Sequence, residues 1–349
     1  MAGERITLGQ IAERTGYTVA TVSMALRNRP QVNRETRARI QAEARRLGYR
    51  PDPEIARLMF RLRAGRNAEA ASPMAIVDPG VPPRQQNAHN RRSLEGIRRR
   101  AAQMGFQTER FAYEDYGQSP GRLEQVLKAR GIEGVLLPAL RVTGQPFQFD
   151  VTGFSVATSG YTLALPVHRA VANQFNDTLH LLGHLKGRGY RRIGMMLPMD
   201  SDLRTNRLYS AAYRVYQGGR PLNQRLEPAL VPTVEPATLT AWLDEVNPDA
   251  LVMQAPGADR VLDWLEASGR QVPDDIGLAS LDLPREDTGV AGMLQNVEEM
   301  ANVMVDLVIA QLQRNERGLP ETPRTVLVNG RFLEGQTVRP ARETKESSG

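Results

Sequence analysis

From Met74 to Asp282 the sequence alternates short apolar runs with segments of helical periodicity, and this alternation constrains the fold more than any other feature. MAIVDPG (74–80) is an apolar run closed by turn residues. SLEGIRRRAAQMGF (93–106) follows, with Leu94, Ile97 and Ala101 on one helical face. FQTERFAY, a helix at about 120–130, EGVLLPAL (133–140) and GFSVATS (153–159) continue the pattern. HRAVANQFNDTLHLLGHLKGRG reads as one long helix ahead of a strand RRIGMMLP (191–198). A helix at 203–217, a strand ALVMQA (250–255), a helix at 258–268 and a strand DIGLASLD (275–282) complete it. Strands joined by helices predict parallel sheets covered on both faces. Roughly 270 residues of this pattern exceed one comfortable core, so two α/β lobes are expected.

The charge distribution sets the N-terminal segment apart. Residues 1–66 hold 14 Arg and no Lys against 6 acidic residues, a net charge of +8, whereas the whole 349-residue chain carries +6. The basic character therefore belongs to the first 66 residues and suggests a polyanionic partner, above all nucleic acid. An arginine-rich genome explains why only Lys128, Lys186 and Lys345 are lysines, but not why the excess is local. The chain has no cysteine, which excludes disulfides, thiolate metal sites and a cysteine nucleophile. No apolar run approaches the ~20 residues of a membrane span, and MAGERITLGQ lacks the apolar core of a signal peptide. A soluble cytoplasmic protein is the expectation.

Within that segment, TLGQIAERTGYTVATVSMALRNR (7–29) breaks two short helical patterns around one glycine. Leu8, Ile11 and Ala12 share a face at helical spacing. Gly16 permits the positive φ of a sharp turn, and Thr18 can cap the next helix through its side-chain oxygen. Val22, Ala25 and Leu26 then face inward, leaving Val19, Ala20, Thr21, Ser23 and Met24 pointing outward. A third helix from Arg34 to about Leu47, capped by Asn33, turns Ile40, Ala44 and Leu47 inward. Three small helices, a glycine turn and a basic surface predict a helix-turn-helix unit; the plain alternative is a three-helix module that binds protein. Beyond it, GYRPDPEIARLMFRLRAGR (48–66) has Asp52 as N-cap, Pro53 at the first helical position and an apolar stripe of Ile55, Leu58, Met59 and Leu62. So short a helix is marginal alone in water and needs a partner.

Residues 6–66 resemble the DNA-binding head and hinge of the lactose-repressor (LacI/GalR) family of bacterial transcription regulators. The matching residues are TLxxIAExxG (7–16), TVS (21–23), VNxETRxRIxxEAxxLGYRPDP (32–53) and Leu58. The resemblance continues more diffusely through GYRRIG (189–194), QVPDDIGLASLD (271–282) and LQN (294–296). It implies a helix-turn-helix head (1–50), a hinge helix and linker (51–72), and a two-lobed periplasmic-binding-protein-like core (73–340) with a ligand cleft and the dimer contacts. A polar tail (341–349) follows. By the same resemblance Leu58 is a minor-groove wedge at the operator centre. Arg207 falls on an effector-contacting arginine, and Asp282 on the aspartate closing a GFD motif. Three departures stand out. Asn87-Ala88-His89-Asn90 replaces an Asn-Pro-Phe-Phe, Gln254-Ala255 replaces an Asn-Asp, and Leu283 replaces a second Asp, so the aromatic platform for sugars is depleted.

No catalytic set is evident. His180 and His184 have the spacing of a metal pair, but no acidic residue follows as in HExxH, and a packing or surface role is favoured. GRGYRRIG precedes a strand and is no dinucleotide fingerprint. GFSVATSG lacks the GxSxG elbow, and no P-loop lysine motif occurs. The expectation is a homodimeric, sequence-specific regulator, a repressor rather than an enzyme, with no cofactor or metal. A small molecule would control it, first a sugar, with a nucleobase or another metabolite, or no effector, as the alternatives. The expected DNA contacts are Thr18, Val19, Ala20, Thr21, Ser23, Met24, Arg27, Arg29, Arg34, Arg57 and Leu58. The expected effector contacts are His89, Asn90, Arg207, Gln254 and Asp282. The rival reading is a cytoplasmic ligand-binding protein or enzyme whose head binds protein.

Overall fold

The computed structural model describes residues 6–26, 32–49, 72–78, 88–116, 121–139, 148–254, 258–283, 285–286 and 288–341. Three helices form the head: α1 (Leu8–Thr15), α2 (Val19–Leu26) and α3 (Arg34–Arg46). Local chemistry fixes each boundary. The Thr7 hydroxyl accepts the Gln10 N–H at 3.3 Å while the Gln10 side chain accepts the Thr7 N–H at 2.8 Å, a reciprocal cap on α1. Gly16 ends α1 at φ 74°, where its N–H reaches the Ala12 carbonyl at 2.9 Å. Asn33 caps α3 by accepting the Thr36 N–H at 2.8 Å. Ile11, Val22, Ala25 and Ile40 meet with no solvent exposure at the centre. Each fully buried aliphatic side chain contributes roughly 1.5–3 kcal/mol, so a head with so few of them has little stability to lose.

The rest is two six-stranded sheets. The first lobe holds β1 (Ser72–Asp78), α4 (Ala88–Gln103), β2 (Phe106–Ala112), α5 (Arg122–Ala129), β3 (Gly134–Leu137), β4 (Ser155–Ser159) and β5 (His168–Ala172). The chain then enters the second lobe through α6 (Gln174–Gly187), β6 (Ile193–Pro198), α7 (Met199–Arg204), α8 (Leu208–Gly218), β7 (Ala229–Val231), α9 (Pro236–Val246), β8 (Ala250–Met253), α10 (Ala258–Ala267), β9 (Gly277–Leu283) and β10 (Ala291–Leu294). It returns through α11 (Val297–Arg314) and β11 (Thr325–Val328), and crosses once more to β12 (Arg331–Leu333). Strand orders are β11-β5-β4-β3-β1-β2 and β12-β10-β9-β8-β6-β7. Every described pairing is parallel except that of β10 with β12. The near-continuous apolar strands that predicted buried parallel sheets are buried: Met74 to Val77, Val135 to Leu137 and Leu251 to Met253 are almost solvent-free. Helices α4 and α11 pack side by side on the first sheet, sharing Ile97, Ala101, Met304 and Val308. The Arg100–Asp306 pair at 2.8 Å fastens them.

Three crossings join the lobes, at Asn173, at Gln295–Asn296 and at Asn329–Gly330. They are bonded to one another. The Asn173 N–H reaches the Val328 carbonyl at 2.8 Å and its side-chain amide reaches Asn329 at 2.8 Å. The Gly330 N–H donates to the buried Asp177 carboxylate at 3.0 Å. A Cβ at Gly330 would stand 2.8 Å from Asp177 Oδ2 and 2.9 Å from the Leu294 carbonyl, so only glycine lets the second and third crossings meet.

Two sequence expectations need correction. The stretch 168–189 is not one helix: His168–Ala172 is a strand between β4 and β11, and the helix begins only after the Asn173 cap. Pairing on both sides of that strand overrides its helical periodicity. The helix expected at 203–217 is two helices, because Asn206 and Arg207 adopt φ of 56° and 61°. Asp202 holds that break. Its carboxylate accepts the Ser210 N–H at 3.0 Å and hydroxyl at 2.7 Å, while its carbonyl accepts the Arg207 N–H at 2.7 Å. The short strands β7, β10, β11 and β12 and the helices α9 and α11 carried no reading in the sequence.

Candidate DNA-reading surface and interlobe site

The head presents one face of α2. Thr18, Val19 and Ala20 are exposed, with Val19 at 49 %. Thr21, Ser23 and Met24 are half-buried on the flank of that face. Thr18 fixes the start of the helix, since its hydroxyl accepts the Thr21 N–H at 3.1 Å. The inward side of α2, Val22 and Ala25, is buried against Ile11 and Ile40. Arg34 is exposed in the first turn of α3. Arg27, Arg29, Arg57 and Leu58 lie outside the described residues. The surface is thus a short helix, aimed by its own core, with small and apolar groups outward.

The second site forms where parallel strands end. In doubly wound sheets the carboxyl ends of the strands open onto the crevice in which ligands sit. Here β1 leads to His89, Asn90 and Arg92 in the first turns of α4, and β6 leads to α7, which ends in Arg204. Strand β8 ends beside Gln254 and β9 carries Asp282 near its end. Electrostatics show that these groups converge from both lobes. The His89 imidazole is pushed down to about 4, first by burial and then by the charges of Arg92 and Arg204. Burial pushes the Asp282 carboxyl up to about 6, against the opposing pull of a Gln254 hydrogen bond and of the same two arginines. Tyr209, fully buried below them, accepts the Gln295 amide at 3.1 Å, and burial followed by the Asp282 and Asp177 charges raises its hydroxyl well above the ordinary range.

Of the expected effector contacts, the structure brings together His89, Gln254 and Asp282. Asn90 sits half-buried beside His89 in α4. Arg207 stands exposed at the start of α8 in the left-handed turn that Asp202 holds. Arg204, three residues earlier, is the arginine whose charge acts on His89 and Asp282. Sequence reading missed Arg204, Arg92, Tyr209 and Gln295, since the break between α7 and α8 shifts which arginine ends at the strand mouth. His184, for which a packing or surface role was expected, stacks on Phe332 with ring centroids 4.1 Å apart. Among the described residues no group of three or more His, Cys, Asp or Glu could hold a metal. No described helix is long and apolar enough to cross a membrane.

A helix-turn-helix head joined to a two-lobed α/β core with a site between the lobes defines the class of protein. The model of the lacI family of bacterial regulatory proteins matches residues 7–52, and that of the periplasmic-binding-protein-like domain matches 182–338. The head is thus similar to the lacI family of bacterial regulatory proteins, and the core to the periplasmic-binding-protein-like domain. The HTH-type transcriptional regulator AglR of Rhizobium meliloti (strain 1021) is 47% identical over 53 residues, 15% of either chain. The chain therefore matches about a seventh of that curated relative's length. Among solved structures, the transcriptional regulator CelR–cellobiose complex is 20% identical, covering 95% of this chain and 100% of that one at a TM-score of 0.57. The lac repressor dimer bound to operator and the anti-inducer ONPF is 18% identical, covering 97% and 100% at 0.56. A periplasmic binding protein/LacI regulator from Alkaliphilus metalliredigens QYMF, complexed with D-xylulofuranose, is 13% identical, covering 77% and 99% at 0.52. These structures share its fold.

Proposed function

We propose that the protein is a homodimeric transcription repressor of the cytoplasm that binds operator DNA through α2 and releases or tightens it when a small polyhydroxylated molecule occupies the interlobe site. The observation that carries this reading is the pairing of an outward α2 face on a basic head with a polar site assembled from both lobes of the core. Thr18, Val19, Ala20, Thr21, Ser23 and Met24 would face base edges in the major groove, with Arg27, Arg29, Arg34 and Arg57 on phosphates. One head reads too few base pairs for specificity, so a two-fold dimer would pair half-sites. Leu58, outside the described residues, would wedge into the minor groove at the centre.

Control follows from linkage. A ligand shifts a two-state equilibrium only by its differential affinity for the two states. Groups contributed by opposite lobes bind a ligand best at one lobe separation, so occupancy selects that separation and the placement of the two heads with it. His89, Asn90, Gln254 and Asp282, joined by Arg92 and Arg204, would make the contacts. The sugar complexes of the CelR and Alkaliphilus proteins support a polyol as ligand. The test is selection of bound fragments from sheared genomic DNA at about 150 mM salt, where non-specific binding is weak. Recovery of a two-fold symmetric site supports the reading. Fragments without a common sequence would replace it with the rival reading of a head that binds protein.

A further inference from the structure

The motif GRGYRRIG (187–194), unused by either site above, forms one side of a separate cleft in the second lobe. The cleft has a volume of about 510 Å³. Clefts of roughly 300–1,000 Å³ hold small molecules. Four of its seven lining residues are cations, Lys186, Arg191, Arg192 and Arg220, and none is Asp or Glu. It opens at the amino end of β6, whereas Gln254 of the interlobe site stands past the carboxyl end of the adjacent β8. The length of a six-residue strand, about 20 Å, separates the two. The first 66 residues carry +8 and the whole chain +6, so the remainder nets −2 and these cations gather against the local composition.

Each cation keeps its charge uncompensated. Arg192 Nε donates to the Val246 carbonyl at 2.7 Å. Arg220 Nη2 donates to the Arg191 carbonyl, and to the Gln224 amide oxygen at 3.5 Å. Neutral acceptors hold a guanidinium in place without cancelling it. The Lys186 ammonium and the Arg191 guanidinium are exposed and have no partner among the described residues. One carboxylate is bonded to the backbone of the cleft: Asp249 accepts the N–H groups of Arg191 at 2.6 Å and Arg192 at 2.8 Å. Four positive charges therefore stand against one negative. The C-terminal end of α6 accounts for Lys186 in its last turn, but the three arginines lie beyond that helix. A cleft of one sign with low-dielectric walls concentrates anions.

We propose that this cleft binds a small molecule bearing two or more linked phosphate groups, a nucleotide or an inorganic polyphosphate. It does not depend on the effector reading above. Guanidinium forks pair bidentately with phosphate oxygens, and an ammonium serves as a point charge beside them. One phosphate group carries about −1.5 to −2 at pH 7, less than the excess of positive charge here, so two linked groups match it. Arg192 and Arg220 are set before the ligand arrives, which lowers the entropy lost on binding.

The experiment is competitive labelling of the full chain with an amine-reactive ester, read by mass spectrometry at about 150 mM salt, where long-range attraction is screened. Lysines occur only at 128, 186 and 345, and Lys128 and Lys186 are both exposed, so Lys128 is the internal control. Inorganic triphosphate or ATP at about ten times its dissociation constant should slow labelling of Lys186 about tenfold, as occupancy requires, and leave Lys128 unchanged. Calorimetry supplies the constants. ATP binding more tightly than triphosphate identifies a nucleotide; equal binding assigns the recognition to the phosphates alone. Arg191→Gln should weaken binding about tenfold, the loss of one charged hydrogen bond, and Arg34→Ala in the head should leave it unchanged. Equal protection of both lysines, or binding lost in Arg34→Ala and kept in Arg191→Gln, would overturn the proposal. So would the absence of binding at about 1 mM of either phosphate. Citrate binding as tightly as triphosphate would overturn the phosphate assignment. Protection of Lys186 by random duplex DNA but not by triphosphate would replace the small ligand with a nucleic-acid contact.

Discussion

The head and the interlobe site recognise their ligands from opposite extremes of sequence separation. The outward residues of the head, Val19, Ala20, Thr21, Ser23 and Met24 with the cap Thr18, are set by one helix, and the caps and core that aim it fall within forty residues. The interlobe site gathers residues 89, 92, 204, 254 and 282, which meet only when two sheets have folded and three crossings have set the lobes against each other. Local chemistry can specify the first almost alone. The second depends on where each strand ends.

That difference predicts unequal responses to mutation. Ile40 is solvent-free in a head with few buried groups, so Ile40→Ala should cost roughly 2–5 kcal/mol and unfold the head alone. Calorimetry should show the core transition unchanged while all specific DNA binding is lost. A simultaneous loss of the core transition would mean that the two regions are not separable.

The core's buried acid should respond to pH instead. Burial raises the Asp177 carboxyl to about 6 from 3.8, so between those values the folded state binds more protons than the unfolded one. Its contribution to stability therefore falls as pH rises from about 4 to 6 and stays low above. Asp177→Asn should gain about 1–3 kcal/mol over the wild type at pH 7.5, and lose that advantage toward pH 4. A variant less stable at every pH would mean that the ionised carboxylate is needed to hold Gly330 and the crossings.

Smaller effects should appear on the DNA-reading face. Met24 cannot read guanine bidentately as an arginine can, so the wild type should tolerate changes at the base pair beneath it. Met24→Arg should create a preference for guanine there, worth about 1–3 kcal/mol. Selected sites from both proteins would show it; an invariant guanine already under Met24 would refute this reading. Arg34→Ala should lower affinity evenly across sequences and reduce the salt slope by about one. An effect confined to one operator base would make Arg34 a base reader.

What the sequence disclosed follows the same division. The head's three helices could be read because Gly16, Thr18 and Asn33 mark their ends by chemistry that acts within four residues. The first sheet could be read where strands are apolar throughout, as at Met74–Val77. Strand β5 was hidden because HRAVAN joins a helical run without a turn signal other than Asn173, and only its two neighbours in the sheet make it extended. The break between α7 and α8 was hidden because Asn206 and Arg207 are not glycine; their positive φ is held by Asp202 and Ser210, which no local rule foretells. Arg204, at the end of α7, therefore carried no reading in the sequence. Asp282, by contrast, came from the resemblance, as the aspartate closing a GFD-like motif, and it lies near the end of β9.

The central claim is that the interlobe site changes operator affinity without touching DNA. Operator affinity should be measured for the wild type and Asp282→Asn, each with and without saturating concentrations of the ligand that stabilises the wild type most. The account predicts a ligand response of about tenfold or more in the wild type, within the usual range of coupling between sites. In Asp282→Asn that response should collapse to less than about twofold, with ligand-free affinity equally little changed. A variant that keeps the full response, or one whose ligand-free operator binding fails while its head remains folded, would contradict it.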